Sequence, residues 1–174
     1  MGWSRIQLVD KEGREVEVKI RVSPPESTVK QLLSEAELPT LDITPEKLET
    51  FFACEVGGKV EGVVGLELEG PVGLLRSLVV SPRNRSRGLG SALVTYAEGI
   101  ARARGVMWLY LLTTTAERFF KRLGYEVIPR EMAPPEIQCT SEFSTLCPAS
   151  SVLMVKPLSV DPTLKPTSHK SELV

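Results

Sequence analysis

Apolar positions along the chain recur with two periods, one typical of strands and one typical of helices. Around the turn Asp10-Lys11-Glu12-Gly13, two strand-like runs predict a β-hairpin. Three more apolar runs between residues 51 and 80 are joined by three-residue turns, which favours an antiparallel meander. The predicted strands are residues 4–9, 14–22, 51–56, 60–68, 72–80, 107–112, 125–128 and 151–156.

The helical period is clearest from residue 89 onwards, where seven apolar residues fall on one helical face and Gly105 follows as the expected C-cap. Those seven residues are Leu89, Ala92, Leu93, Tyr96, Ala97, Ile100 and Ala101. Other helices are predicted to begin near residues 24–27, after an N-cap at Thr44, at residue 115 and at residue 134. The last of these is expected to run to Leu146.

The order of these elements predicts the fold class. The long helix joins strand 72–80 to strand 107–112, and a crossover of that kind implies a parallel pair. We therefore expect an α/β (α+β) protein with a mixed central sheet, antiparallel N-terminal strands and one parallel βαβ crossover. A single domain is expected over residues 1–156, with its motif core at 72–128, followed by a loosely ordered tail at 157–174.

The stretch from Leu74 to Leu93 combines an apolar strand, an arginine-rich turn and the start of the long helix. Arg83, Arg85 and Arg87 alternate along the turn, and the range Gly88–Gly90 follows them. Free backbone N–H groups at a helix N-terminus attract an anion, and arginines supply forked donors for phosphate oxygens. The stretch therefore predicts a phosphate-binding loop. A Rossmann turn or a Walker loop fits less well, because no acid closes the next strand and no lysine follows these glycines.

The spacing R-x-x-G-x-G, from Arg85 to Gly90 after L-V-V-S-P, resembles motif A of the GCN5-related N-acetyltransferase (GNAT) superfamily. The segment AERFFKRLGYEVI, residues 116–128, is similar to the second motif of that superfamily. Together with SEFSTLCPASSV near the C-terminus, these motifs look most like the N-acetyltransferases associated with arsenic-resistance operons. Some of those enzymes act on arsinothricin or phosphinothricin. The resemblance covers about residues 50–156.

The resemblance implies a fold whose parallel strands splay and admit acetyl-CoA, with the pyrophosphate held by motif A. Acetyl-CoA would be the cosubstrate, no metal is expected, and transfer would be direct, in a ternary complex. The implied acceptor is the primary amine of a small, anionic, amino-acid-like substrate. The implied cofactor-binding residues are Leu78, Val79, Val80, Arg85, Ser86, Arg87, Gly88, Leu89, Gly90, Ser91 and Phe120.

Phe120 departs from the family pattern, because many members carry a tyrosine there that protonates the departing thiolate. Another group donates the proton, or the thiolate leaves unaided, or it takes a proton from water. A thiol of pKa near 8.5 is a tolerable leaving group, so a dedicated acid is optional. The single histidine, His169, lies in the tail, so a nucleophile activated by histidine is disfavoured. The general base is then a carboxylate or a water relay, or the reaction proceeds without one. Glu67 and Glu69 share one strand face. Glu67 is the candidate base or amine ligand, and Glu69 fits a solvated strand end.

Arg76 interrupts an apolar run, and arginine is rarely buried without a partner. Two partners fit: an ion pair with one of those glutamates, or an anionic group on the substrate. Ser77 is a candidate for contact with the same substrate group. Thr113, Thr114 and Thr115 follow the parallel strand. Their hydroxyls are candidate ligands for the amide groups of acetyl-CoA or for substrate, and we take Thr113 and Thr114 as substrate ligands. The alternative role is capping of the next helix, by Thr114 or Thr115.

Composition sets the remaining bounds. A net charge of −1 does not favour nucleic-acid binding, and the longest apolar run, residues 106–112, is too short to span a membrane. The N-terminus lacks a secretory core, so a cytoplasmic protein is expected. Cys54, Cys139 and Cys147 show no metal-binding spacing and fit a reducing compartment.

Three matters stay open at this point. A homodimer is one. The other two are alternative functions: a non-catalytic acyl-CoA-binding or arsenic-sensing module, and an acetyltransferase for protein N-termini or polyamines.

Overall fold

The alternating runs assemble into a mixed sheet that has eight strands within residues 3–85 and 87–158, the part of the chain that the computed structural model describes. The strand order is β1-β2-β3-β4-β5-β6-β8-β7. The strands are β1 Trp3–Val9, β2 Glu15–Val22, β3 Phe51–Val56, β4 Lys59–Glu69, β5 Val72–Val80, β6 Trp108–Thr113, β7 Glu126–Ile128 and β8 Val152–Pro157. The α-helices are α1 Glu26–Glu35, α2 Pro45–Leu48, α3 Leu89–Ala103, α4 Glu117–Arg122 and α5 Pro135–Gln138.

Strand pairing confirms the predicted fold class. β1 to β5 form consecutive antiparallel pairs, as the hairpin and the meander predict, and β5 pairs with β6 in parallel across α3. Thr44 caps α2 as expected, because its side chain accepts a hydrogen bond from Lys47 N. The order of the C-terminal strands was not foreseen: β8 inserts between β6 and β7 and pairs antiparallel with both.

The parallel pair separates towards its C-terminal ends. β5 and β6 are paired only from Val72↔Trp108 to Leu75↔Leu111, although β5 continues to Val80. Ser77 sits at a register shift against β4 and has a positive φ of 58°, an unusual conformation for a residue with a side chain. This bulge bends β5 where it leaves β6, so the expected opening is present in the sheet.

In the central strands, β3 to β6, consecutive residues are buried, so both faces of that part of the sheet are covered. Phe52 and Leu75 belong to the cluster that packs against α3, whereas Phe51 packs in a separate cluster with α1. Leu74, next to Leu75, belongs to a third cluster with α5. Helices therefore cover both faces of the central strands, and a cleft opens where β5 and β6 part.

The predicted helix over residues 134–146 is wrong as a single element. The structure has α5, which ends at Gln138, and then a separate π-helical turn over Glu142–Leu146. Thr140 divides them: its hydroxyl donates to the Ile137 carbonyl at 2.7 Å and accepts from Phe143 N at 3.3 Å. A side chain that competes for backbone groups in this way ends a regular helix.

The C-terminal boundary lies slightly later than predicted. β8 includes Pro157, and Leu158 is buried with its backbone N–H bonded to the Met107 carbonyl at 2.8 Å. The rest of the predicted tail, residues 159–174, lies outside the described residues. Among the helices that the structure describes, none has the length and apolar character needed to cross a bilayer.

Candidate active site

A cavity of about 810 Å³ lies at the N-terminus of α3. Gly88 is the N-cap, with φ of +80°, a conformation that glycine adopts without strain. The first intrahelical bond in this turn runs from Ala92 N to the Gly88 carbonyl, so the preceding amides have no partner inside the helix. Backbone N–H groups without an intrahelical partner make the helix end suited to an anion.

The predicted cofactor residues gather around this cavity. Arg85 and Arg87 line it, while the strand segment 78–80 forms another wall. The other predicted residues on the lining are Gly88, Leu89, Gly90 and Ser91. Ser86 lies outside the described residues. Phe120 instead lines the neighbouring cavity, where it packs edge-on against Phe119 and Tyr125.

Arg83 is the exception among the three arginines of the turn. Its Nη2 lies 2.8 Å from Oε1 of Glu61, a buried carboxylate on β4 that also accepts from the Ser81 hydroxyl. Burial alone would raise the pKa of Glu61, but the hydrogen bonds from Ser81 and Arg83 outweigh it and lower that pKa. Arg87 donates to Asn84 Oδ1 at 3.1 Å. Arg83 therefore fastens the loop, and Arg85 and Arg87 are the arginines of the turn that face the cavity.

Two further cations line the same cavity and were missed by sequence reasoning. Lys11 comes from the β1–β2 turn, and Arg122 comes from the end of α4. Asp10 holds that turn in shape, since its carboxylate accepts from Arg14 Nε at 2.8 Å and from two backbone N–H groups. No local signal identifies either cation, because only the tertiary fold brings these segments to the helix end.

A second cavity, of about 580 Å³, opens on the other side of the parted strands. Its polar lining includes Arg76, Ser77, Thr113, Thr114, Glu142 and Cys147. The two cavities share four lining residues, which are Leu38, Leu78, Thr115 and Ala116. A ligand that lies along the first cavity can therefore present one end to a ligand in the second.

Arg76 is fully engaged by protein groups. Nη1 donates to Asp42 and to Glu67 at 3.2 Å, Nη2 donates to Asp42 at 2.8 Å, and Nε donates to the Ser77 hydroxyl at 3.0 Å. Of the five N–H groups of a guanidinium, one is left, on Nη2, and Glu142 Oε1 lies 2.9 Å from that nitrogen. Of the two partners that the sequence allows, the structure contains the ion pair, extended by Asp42 and Glu142, which sequence reasoning missed.

The charged groups of this cluster shift the pKa values of one another. Burial would raise the pKa of Asp42, but the hydrogen bonds from Arg76 and Lys47 lower it to about 2. Burial would lower the pKa of Arg76, yet Asp42, Glu142 and Glu67 together raise it. Arg76, whose side chain is 1% exposed, is therefore a firmly charged cation among carboxylates.

The remaining predicted site residues divide between the cavities and the interior. The Thr113 hydroxyl accepts from Ala116 N at 3.0 Å, a bond in the turn before α4, whose N-cap is Ala116 and carries no side-chain cap bond. Thr114 is exposed on the second cavity. Glu67 pairs with Arg76 and Lys47, and it does not line either cavity among the described residues. Its predicted role as a base stays a prediction.

Cys147 is the cysteine that reaches the second cavity, whereas Cys54 is buried and Cys139 is exposed. All three are free thiols. Burial and the hydrogen bond to Glu142 raise the pKa of Cys147 to about 12, so its thiol stays protonated and is a poor nucleophile. The described residues contain no group of histidine, cysteine and acidic side chains that could hold a metal ion.

Comparisons with known proteins identify the family to which a chain with this site belongs. Residues 47–127 match the family model described as an acetyltransferase (GNAT) domain. An N-acetyltransferase of Chlorobaculum tepidum, itself uncharacterized, is 32% identical over 120 residues, which cover 65% of this chain and 74% of the relative. The chain belongs to the GNAT acetyltransferase family. The prediction of an acetyl-CoA-dependent N-acetyltransferase is thereby confirmed at the level of enzyme class, while the arsenic-resistance subgroup stays a prediction.

Two further likenesses cover only part of the other protein. A second uncharacterized N-acetyltransferase, from Methanocaldococcus jannaschii, is 34% identical over 87 residues, which cover 44% of this chain and 38% of that protein. N-acetylglutamate synthase from Neisseria gonorrhoeae, solved with coenzyme A and L-arginine, superposes with a TM-score of 0.69 at 20% identity. That match covers 80% of this chain and 33% of the synthase, and at 20% identity it shows the shared fold alone.

Proposed function

We propose that this GNAT protein transfers the acetyl group of acetyl-CoA directly to the primary amine of a small, amino-acid-like acceptor. The observation that carries the proposal is the junction of the two cavities at Leu78, Thr115 and Ala116. It lets a cofactor held at the α3 N-terminus and an acceptor in the second cavity meet without leaving the protein. Holding both reactants in one complex supplies much of the rate acceleration in such reactions.

The first cavity supports binding of the cofactor. The backbone N–H groups of the first turn of α3 and the side chains of Arg85 and Arg87 suit the pyrophosphate of acetyl-CoA. Beyond Leu75, the edge of β5 that faced β6 is no longer paired, so its backbone groups are available to an extended pantetheine chain. A backbone N–H near Val80 would polarise the thioester carbonyl.

The chemistry needs no covalent enzyme intermediate. The acceptor nitrogen forms a bond to the acetyl carbon, the carbon–sulfur bond breaks, and CoA leaves as a thiol. The ammonium loses two protons, one to the CoA sulfur and one to a base or to water. The protonated state of Cys147 supports direct transfer, because an acetyl-cysteine route requires a thiolate.

The resemblance to the arsenic-operon enzymes makes arsinothricin and phosphinothricin the first acceptors to test. Their anionic groups find little left to bind on Arg76, so we assign that contact to the hydroxyls of Ser77, Thr113 and Thr114. The free thiols support a cytoplasmic location. Light scattering of the purified protein tests whether it forms the homodimer.

The cofactor site is tested with two variants of Gly88. A Cβ at this position meets no other atom within 4 Å, so Gly88→Ala and Gly88→Glu share only the backbone strain, roughly 1–2 kcal/mol. Gly88→Glu adds a negative charge where the pyrophosphate would lie. We expect calorimetry to show CoA binding by Gly88→Ala and none by Gly88→Glu, with both variants folded. CoA affinity of Gly88→Glu equal to that of Gly88→Ala would remove this loop from the site.

Activity is tested by CoA-thiol release from acetyl-CoA across a panel of amines. The panel contains arsinothricin, phosphinothricin, common amino acids, a polyamine and a peptide N-terminus. Turnover with one of the first three classes is the expected result. Turnover only with the polyamine or the peptide would overturn the acceptor class and leave the enzyme class intact.

A further inference from the structure

We propose that Glu142 binds the ammonium group of the acceptor, in place of Glu67, which the sequence favours for that role. The inference rests on the proposed function, since it names the acceptor contact within the same site. The first observation is the position of the two carboxylates. Glu142 lies on the wall of the second cavity with its side chain 8% exposed, whereas Glu67 is turned towards Arg76 and Lys47.

The charge balance of the Arg76 cluster points to a missing cation. Its carboxylates, Asp42, Glu67 and Glu142, carry three negative charges, and Arg76 and Lys47 carry two positive charges. The cluster therefore has a net charge of −1 at a largely buried position. A buried charge without a partner is unfavourable, so the cluster favours a bound cation.

Among the described residues, no cation besides Arg76 and Lys47 forms an ion pair with the three carboxylates. Arg130, the other arginine beside this segment, donates to Ser151 and to the Phe143 carbonyl, and its guanidinium lies 4.6 Å from the centre of the Phe143 ring. Glu37, which also lines the cavity, adds a further negative charge. Glu142 and Glu37 therefore both present negative charge to the cavity, where an acceptor ammonium would meet Glu142.

The π-helical turn orients this carboxylate. Cys147 N donates to the Glu142 carbonyl at 2.9 Å, which closes the turn over five residues and brings the two side chains together. The Cys147 thiol lies 2.6 Å from Glu142 Oε2, while Arg76 is beside Oε1. Each carboxylate oxygen accepts two hydrogen bonds, so Glu142 retains acceptor capacity for an ammonium in the cavity.

The test is a matched pair of variants, Glu142→Gln and Glu67→Gln. Each removes one negative charge and one carboxylate partner of Arg76 from the same cluster, so the two variants are expected to lose stability to a similar degree. For each protein we would measure the melting temperature, CoA affinity by calorimetry, and kcat and KM for the best acceptor of the amine panel. Glu142→Asp, which keeps the charge, serves as the conservative control.

Glu142→Gln is expected to raise the acceptor KM about ten- to a hundredfold, the range typical of a lost hydrogen bond to a charged group. CoA affinity stays at the wild-type value. Glu67→Gln is expected to change the acceptor KM by less than about threefold, and Glu142→Asp to recover at least part of the loss.

The opposite pattern, a raised KM for Glu67→Gln and a normal KM for Glu142→Gln, would overturn the inference. A lowered melting temperature for Glu142→Gln with an unchanged KM would also overturn it, since that identifies a purely structural carboxylate. If the wild-type protein releases no thiol with any amine, the proposed function is wrong. That result is distinct from failure of the Glu142 inference, which is judged only by comparing the variants with an active wild type.

Discussion

Replacement of Arg76 by methionine gives the sharpest test of how the centre of the molecule is held together. The side chain is 1% exposed and lies among Asp42, Glu67 and Glu142. Methionine replaces the aliphatic part of the arginine side chain and carries no charge, so the variant removes the central cation and keeps apolar packing around the stem. The remaining cluster then has three carboxylates opposed by Lys47 alone.

The expected cost follows from the charges left behind. Removal of one partner from a buried ion pair destabilises a protein by roughly 3–5 kcal/mol, because the other partner is left uncompensated. In a domain of this size, 1 kcal/mol corresponds to a change of roughly 2–4 °C in melting temperature. Arg76→Met is therefore expected to melt roughly 6–20 °C below the wild type.

A double variant separates charge from packing. Arg76→Met combined with Asp42→Asn removes the partner that receives two of the arginine hydrogen bonds and restores the net charge of −1. Contacting residues couple by roughly 0.5–3 kcal/mol, so the double variant is expected to melt above Arg76→Met alone. The assay is urea and thermal unfolding followed by circular dichroism, with CoA affinity measured beside it.

Two results would refute this reasoning. A melting temperature for Arg76→Met within about 2 °C of the wild type would show that the cluster contributes little to stability. A raised KM for an anionic acceptor with normal stability would show that Arg76 binds substrate, although four of its N–H groups already have protein partners.

Two further predictions concern the leaving group and acid stability. Phe120→Leu is expected to cost about 1 kcal/mol and less than tenfold in kcat, since the phenyl ring donates no proton; a loss beyond a hundredfold with a normal melting curve would contradict this. The pKa of Asp42 is lowered to about 2, so its contribution, about 2 kcal/mol, is complete above about pH 4 and lost as pH falls towards 2. Urea unfolding at pH 5 and pH 3 is therefore expected to show the stability gap between wild type and Asp42→Asn shrinking by about half, and a constant gap would exclude this origin.

Local chemistry in the sequence determined much of the fold and one half of the site. Short glycine turns force neighbouring strands to be antiparallel, and the period of α3 and its left-handed Gly88 are local properties, so the meander and the cofactor loop could be read directly. The parallel pair followed from the length of the crossover.

The acceptor side of the site was determined by tertiary structure alone. Asp42 and Glu142 are separated from Arg76 by 34 and 66 residues, and no local pattern reveals that three such distant side chains share one buried cluster. The same holds for Lys11 and Arg122 at the cofactor cavity and for the insertion of β8 between β6 and β7. Buried ion pairs and strand order depend on long-range packing, which a local period does not encode. The sequence predicts that Arg76 has a charged partner, and only the folded structure identifies the carboxylates that fill this role.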